Sequence, residues 1–233
     1  MRSNLFILLM LILTFGLISP ALWAQDKPKF EDARMIIEFN STSQDIGVQF
    51  FIDAESWDHV YVVNPSGNKI FESFGRSNVK TFGLSELFCE SNEPPLDEVP
   101  LSQTLAMFPE GQYKFFGTTP DGENFEGTTT FTHNIPDGPS IVSPARNAKM
   151  PLNKAIIQWD PVTTPAGIQI AGYQVVIEKG NPVHTFEIDL PATATSLKVP
   201  PEFLQSGKQY KFEVLAKEVG GNQTITEWSF RTE

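Results

Sequence analysis

The chain has 233 residues, 40% of them hydrophobic, with 17 Lys and Arg against 28 Asp and Glu, a formal net charge of -11 and one cysteine. This acidity opposes nucleic-acid and anionic-lipid binding and suits cations or a basic partner, and a single cysteine excludes an intrachain disulfide. The charge is uneven: residues 25–137 hold 7 Lys and Arg against 19 Asp and Glu, whereas residues 138–233 hold 9 of each.

Residues 1–24 read as a secretory signal peptide. Arg2 supplies the positive start, Leu5 to Ile18 is apolar apart from Thr14 and Gly16, Pro20 breaks the run, and the expected cut follows Ala24, although Leu22 is bulkier than usual two places before it. This fourteen-residue run falls short of the roughly 20 that span a bilayer, and no other stretch is long enough, so no transmembrane anchor is expected after cleavage. The expected location is the periplasm or the extracellular space.

The remaining residues suffice for two domains, each with its own core. Over residues 25–137, Met35 to Phe39, Gly47 to Ile52 and Val60 to Val63 read as strands, and Asn64-Pro-Ser-Gly-Asn68 turns the chain into Lys69 to Phe74. A second hairpin runs from Tyr113 to Thr118 through Pro120-Asp-Gly122 to Phe125 to Phe131. Between the hairpins, residues 84–108 read as a helical insertion. Leu101, Leu105 and Phe108 recur at helical spacing behind Ser102 as N-cap, Pro109 stops the run, and Leu84 to Glu90 is expected to form another helical turn. The result is an acidic sandwich of about seven strands with a short helical insertion.

Asn134-Ile-Pro-Asp-Gly-Pro-Ser140 reads as a short connection with a boundary near Asp137, which predicts end-to-end stacking with limited freedom. Beyond it, Ala155 to Trp159, Ala171 to Glu178, Thr185 to Leu190, Ser196 to Val199, Tyr210 to Lys217 and Glu227 to Thr232 alternate as strands. Tyr173, Val175 and Ile177 share one face of the pleat, as do Tyr210, Phe212, Val214 and Ala216.

Residues 138–233 resemble the fibronectin type III family, a relative of the immunoglobulin-like sandwiches. Trp159-Asp-Pro161 is similar to that family's early core tryptophan and Gly172-Tyr-Gln-Val175 to its third strand. Thr195-Ser-Leu-Lys-Val199, followed by Leu204, Gly207 and Tyr210-Lys-Phe-Glu-Val-Leu-Ala216, resembles its most recognisable stretch. The resemblance implies an all-β sandwich with Tyr210 as a corner ring returning its hydroxyl to upstream backbone. No Arg-Gly-Asp loop is present, so integrin-type adhesion is not implied, and the fold carries no single function.

Catalytic patterns are missing. His59, His133 and His184 each stand alone, no Gly-x-Ser-x-Gly elbow or phosphate-cradling glycine loop occurs, and Cys89 has no sequence-near histidine. Flanked by Leu87 and Phe88, Cys89 reads as a buried apolar side chain, with pairing between chains as the alternative. Neither catalytic residues nor a cofactor are expected. Glu90 and Glu93 are the candidate glycosidase-like pair, set against a plain acidic loop. Calcium is the possible ion, with Asp53, Glu55 and Asp58, or Asp45 beside Asn40 and Ser41, as candidate ligands, although neither group has the spacing of a dedicated calcium loop.

Trp57, placed among Glu55, Ser56, Asp58 and His59, is the candidate stacking or anchoring aromatic; the alternative is a ring folded over the end of the core. Asn40-Ser-Thr42 and Asn222-Gln-Thr224 would carry glycans only in a eukaryotic secretory pathway. The sequence thus predicts a non-enzymatic binding protein with a protein or carbohydrate partner, recognised by the acidic domain together with Trp57, Glu90 and Glu93. The alternatives are a carbohydrate-active enzyme or its accessory module and a structural subunit of an envelope assembly.

Overall fold

The computed structural model describes residues 27–180 and 182–233; the expected signal peptide and its cut after Ala24 lie outside the described residues. The N-terminal half contains β1 (Phe30–Asn40), β2 (Asp45–Trp57), β3 (His59–Val63), β4 (Lys69–Phe74), the helix α1 (Ser77–Phe82), β5 (Leu84–Glu90), the helix α2 (Leu101–Met107), β6 (Gly111–Thr118) and β7 (Asn124–Phe131). β1, β2 and β5 pair antiparallel in one layer, facing a sheet ordered β4-β3-β6-β7. Alternation drives this arrangement: on β1, Met35 and Ile37 point into the core while Arg34 and Glu38 take the other face. Asn64 closes the β3–β4 turn by accepting from the backbone N–H groups of Ser66 and Asn68.

The C-terminal half adds β8 (Ile141–Ser143), β9 (Ala148–Met150), β10 (Ile156–Trp159), β11 (Ile170–Lys179), β12 (His184–Pro191), β13 (Ser196–Lys198), β14 (Gln209–Glu218) and β15 (Gln223–Thr232). β13-β10-β8 form one layer and β12-β11-β14-β15 the other, so the all-β sandwich implied by the resemblance is the observed architecture. The short strands β8 and β9 are additions to the expected set.

Each half has its own core. Trp57, Tyr113, Phe115 and Phe131 anchor the first, and Trp159, Tyr173, Tyr210 and Phe230 the second. The expected corner is present: the Tyr210 hydroxyl accepts from the Gln205 backbone N–H at 2.8 Å. The first half repeats the device with the opposite polarity, since the Tyr113 hydroxyl donates to the Pro109 carbonyl at 3.0 Å.

Two expectations are corrected by one irregularity. Leu84 to Glu90 is the strand β5 and not a helical turn, and Trp57 is not an exposed loop ring but lies fully buried at the end of β2. The β2–β5 register shifts between Asp53 and Trp57. That shift turns Trp57 inward out of phase with Ile52 and Ala54, and brings both Leu84 and Leu87 onto the core at a spacing of three that imitates a helix. The helix α2 forms where expected, with Leu105 and Phe108 packed on the core, although Pro100 and not Ser102 precedes it.

The two sandwiches meet edge to edge, which replaces the expected end-to-end stacking. β1 runs parallel to β15, pairing Glu38 with Gln223, Phe39 with Thr224 and Asn40 with Ile225, so one sheet continues β12-β11-β14-β15-β1-β2-β5 across the junction. Asn222, 2% exposed, satisfies its whole amide there. Its Oδ1 accepts from Ile37 N–H at 2.8 Å, and its Nδ2 donates to the carbonyls of Thr132 and Asn134 at 3.0 and 3.1 Å. Gly221, at φ +102°, lets this turn press on Ile36; a Cβ there would stand 2.8 Å from its Cγ2. In the connection, Gly138 is tighter still: a Cβ there would stand 2.2 Å from Ser41 Oγ and 2.7 Å from Thr226 Oγ1.

Candidate functional site

The continuous sheet runs across both halves, and three carboxylates of the acidic half meet on its outer face. Glu38 on β1, Glu90 at the end of β5 and Glu93 just beyond bring carboxylate oxygens within 4.8 Å of one another. Gly47, paired with Glu38 on β2, makes this possible: the Glu93 side chain lies over it, and a Cβ at that position would be 2.8 Å from Glu93 Oε1. Gln49 donates to Glu90 Oε1 at 2.8 Å, and Gln223 of β15 donates to Glu38 Oε2.

None of these three carboxylates has a cationic partner among the described residues. Burial, reinforced by repulsion from Glu90, Asp45 and Glu38, pushes Glu93 up to about 7. Burial also raises Glu38, with Glu90 adding to it and the Gln223 hydrogen bond opposing it. The neighbouring cations are already engaged, Arg34 with Asp32 at 3.1 Å and Lys217 with Asp189 at 2.8 Å.

Beside the carboxylates, a groove of about 420 Å³ crosses the junction. Ile36, Gln49 and Gln223 lie along it; Phe51 and Phe88 line it from the first half, Lys217 and Val219 from the second. Phe88 is 56% exposed and Val219 60% exposed, and the Arg34 guanidinium sits 4.6 Å over the Phe51 ring.

The structure brings only part of the sequence-predicted set together. Glu90 and Glu93 lie close together, joined by Glu38, which sequence reading missed because its partners lie far along the chain, at and just beyond the end of β5. Trp57 is elsewhere, donating its indole N–H to the Ser85 carbonyl at 3.1 Å inside the core. The calcium candidates do not assemble: Asp58 is buried facing Lys80 at 3.5 Å, Glu55 is exposed, and Asp53 and Asp45 belong to no group of three close ligands among the described residues. Burial raises Asp45, and repulsion from Glu227 adds to it. Cys89 is half-buried and burial raises its thiol.

Neither sequon presents a free amide. Asn222 is the buried clasp described above, and Asn40 donates to Glu227 while capping the turn at Thr42 and Ser43.

No helix of the described residues is long and apolar enough to cross a membrane. No family model matches the sequence, and no curated protein matches it. Among solved structures, the chain is similar to the FN1–FN3 domains of chicken CNTN1 at 10% identity and TM-score 0.37, covering 89% of this chain and 66% of that one. It is similar to a tetra-tandem repeat from the extending region of a large adhesion protein at 12% identity and TM-score 0.30, covering 87% of this chain and 50% of that one. It is also similar to a two-domain fibronectin type III segment from chicken tenascin at 14% identity and TM-score 0.31, covering 89% of this chain and all of that one. The chain thus spans about two thirds and one half of the first two.

Proposed function

We propose that the chain is an exported, non-enzymatic interaction module of the periplasm or extracellular space. Its acidic N-terminal sandwich, bounded near Asp137, carries the recognition surface, and the charge-neutral C-terminal sandwich holds that surface in a fixed orientation. The observation that carries this reading is the group of Glu38, Glu90 and Glu93, gathered without a counter-charge among the described residues on a sheet face that runs into the second sandwich. Like charges held together oppose one another, and a cationic partner surface relieves that repulsion on contact. Carbohydrate stacking loses its support, because Trp57, the ring it rested on, is in the core.

The test is a pull-down from the native envelope or secreted fraction with the full chain as bait, against the triple variant Glu38→Gln, Glu90→Gln, Glu93→Gln. Truncating to residues 138–233 would strip the β1 edge from β15 and expose a new strand edge, so the charge variant is the cleaner bait. A partner retained by the native chain, released by moderate salt and missed by the variant is the expected result. Equal capture by both baits overturns the reading. Loss of a hydrolytic activity in the variant, with the fold intact, would favour the glycosidase alternative.

A further inference from the structure

We infer that the junction groove is a docking track for an extended, lysine- or arginine-bearing segment of a partner protein; this deepens the proposed function and rests on it. The groove is lined from six strands, β11, β14, β15, β1, β2 and β5, all on one sheet face. Five inter-strand spacings of about 4.8 Å make roughly 24 Å, the reach of about seven extended residues. Its apolar contacts, Phe51 and Phe88 on one side and Val219 on the other, are separated by the glutamine-lined floor. That combination suits side chains of alternating character and supplies amide groups for a main chain lying over Gln49 and Gln223.

Charge complementarity selects the occupant. The cations lining the groove, Arg34 and Lys217, are matched by Asp32 and Asp189. The carboxylates reached through Gln49 and Gln223, namely Glu90 and Glu38, are matched by nothing among the described residues. Glu218 lines the groove itself and has no cationic partner among the described residues, so the residual charge along and beside the track is negative, and a segment carrying ammonium or guanidinium groups is the complement. Because the walls come from both sandwiches, the track exists only while the β1–β15 ladder holds them in register.

The experiment titrates the full mature chain with a short labelled peptide alternating lysine and valine, and with a control peptide carrying glutamate for lysine. Phe88→Ala is informative because the ring is exposed and outside the core; Phe82→Ala, 88% exposed on another part of the molecule, is the comparison variant. Saturable binding of the lysine peptide is expected, weakened about tenfold by Phe88→Ala and again by Glu90→Gln with Glu93→Gln, and unchanged by Phe82→Ala. Preference for the glutamate peptide, no binding of either, or binding indifferent to Phe88→Ala overturns the track. If Phe88→Ala leaves peptide binding unchanged while the pull-down partner is still lost by the carboxylate variant, the groove fails and the acidic recognition reading survives.

Discussion

The two sandwiches use the same internal devices and differ in what they show to solvent. Each ends an early strand, β2 or β10, on a buried tryptophan, Trp57 or Trp159, and places a buried tyrosine, Tyr113 or Tyr210, near the start of its penultimate strand. Outside, the first holds 7 Lys and Arg against 19 Asp and Glu over residues 25–137, while the second is balanced at 9 each over residues 138–233. The skeleton therefore accounts for folding in both halves, and what separates them is surface charge. A detail inside the cores also differs: the Trp57 indole N–H reaches a carbonyl, whereas that of Trp159 is buried without a partner among the described residues.

The largest effect that would break the comparison is core truncation. Trp57→Ala and Trp159→Ala should each cost roughly 3–5 kcal/mol in chemical denaturation; a silent substitution at either position would show that the two rings are not equivalent anchors. Replacement by Phe sharpens the contrast, since only at position 57 does it remove a made hydrogen bond.

Next comes the clasp between the halves. Asn222→Ala leaves the Ile37 N–H and the carbonyls of Thr132 and Asn134 without this partner, at about 1–3 kcal/mol for a buried group so orphaned. Hydrogen exchange should speed at Ile37 and along the β1–β15 ladder while both cores stay protected. Unchanged exchange at Ile37 would mean that the halves do not depend on this amide.

The two tyrosine corners should respond alike, each Tyr→Phe change at 113 and 210 costing about 1 kcal/mol of unfolding free energy. The smallest effect concerns Glu93. Its carboxyl is raised in the fold to about 7, so the folded state holds a proton that the unfolded chain has lost above its ordinary carboxylate range. The stability tied to that proton is fully present below the unfolded value and is lost as pH rises through about 7. Glu93→Gln should flatten that fall by well under 1 kcal/mol, since solvent screens a partly exposed group. Denaturation midpoints at acidic and mildly alkaline pH check the sign.

Strict alternation made most strands legible. Lys69 to Phe74 and the β6–β7 hairpin are placed by pattern and turn residues alone, and the core faces of β11 and β14 follow from Tyr173, Val175, Tyr210 and Phe212. The register shift between Asp53 and Trp57 defeats the same logic, because one irregularity changes phase for Trp57 and spaces Leu84 and Leu87 like a helix. Half of the candidate site was visible as Glu90 and Glu93. The rest was hidden because Glu38 and Gln223 are brought beside each other by a parallel pairing 185 residues apart, which no local pattern encodes.

The parallel ladder between β1 and β15 has a consequence for force. β1 enters from its far end at Phe30 and overlaps β15 over three residue pairs, and β15 then runs on away from it to Thr232. Tension applied at the two ends of the folded chain therefore slides the strands past each other and loads those bonds together, instead of peeling them one at a time. The same pairing that joins the two sandwiches is therefore loaded in shear when the chain is stretched from its described ends.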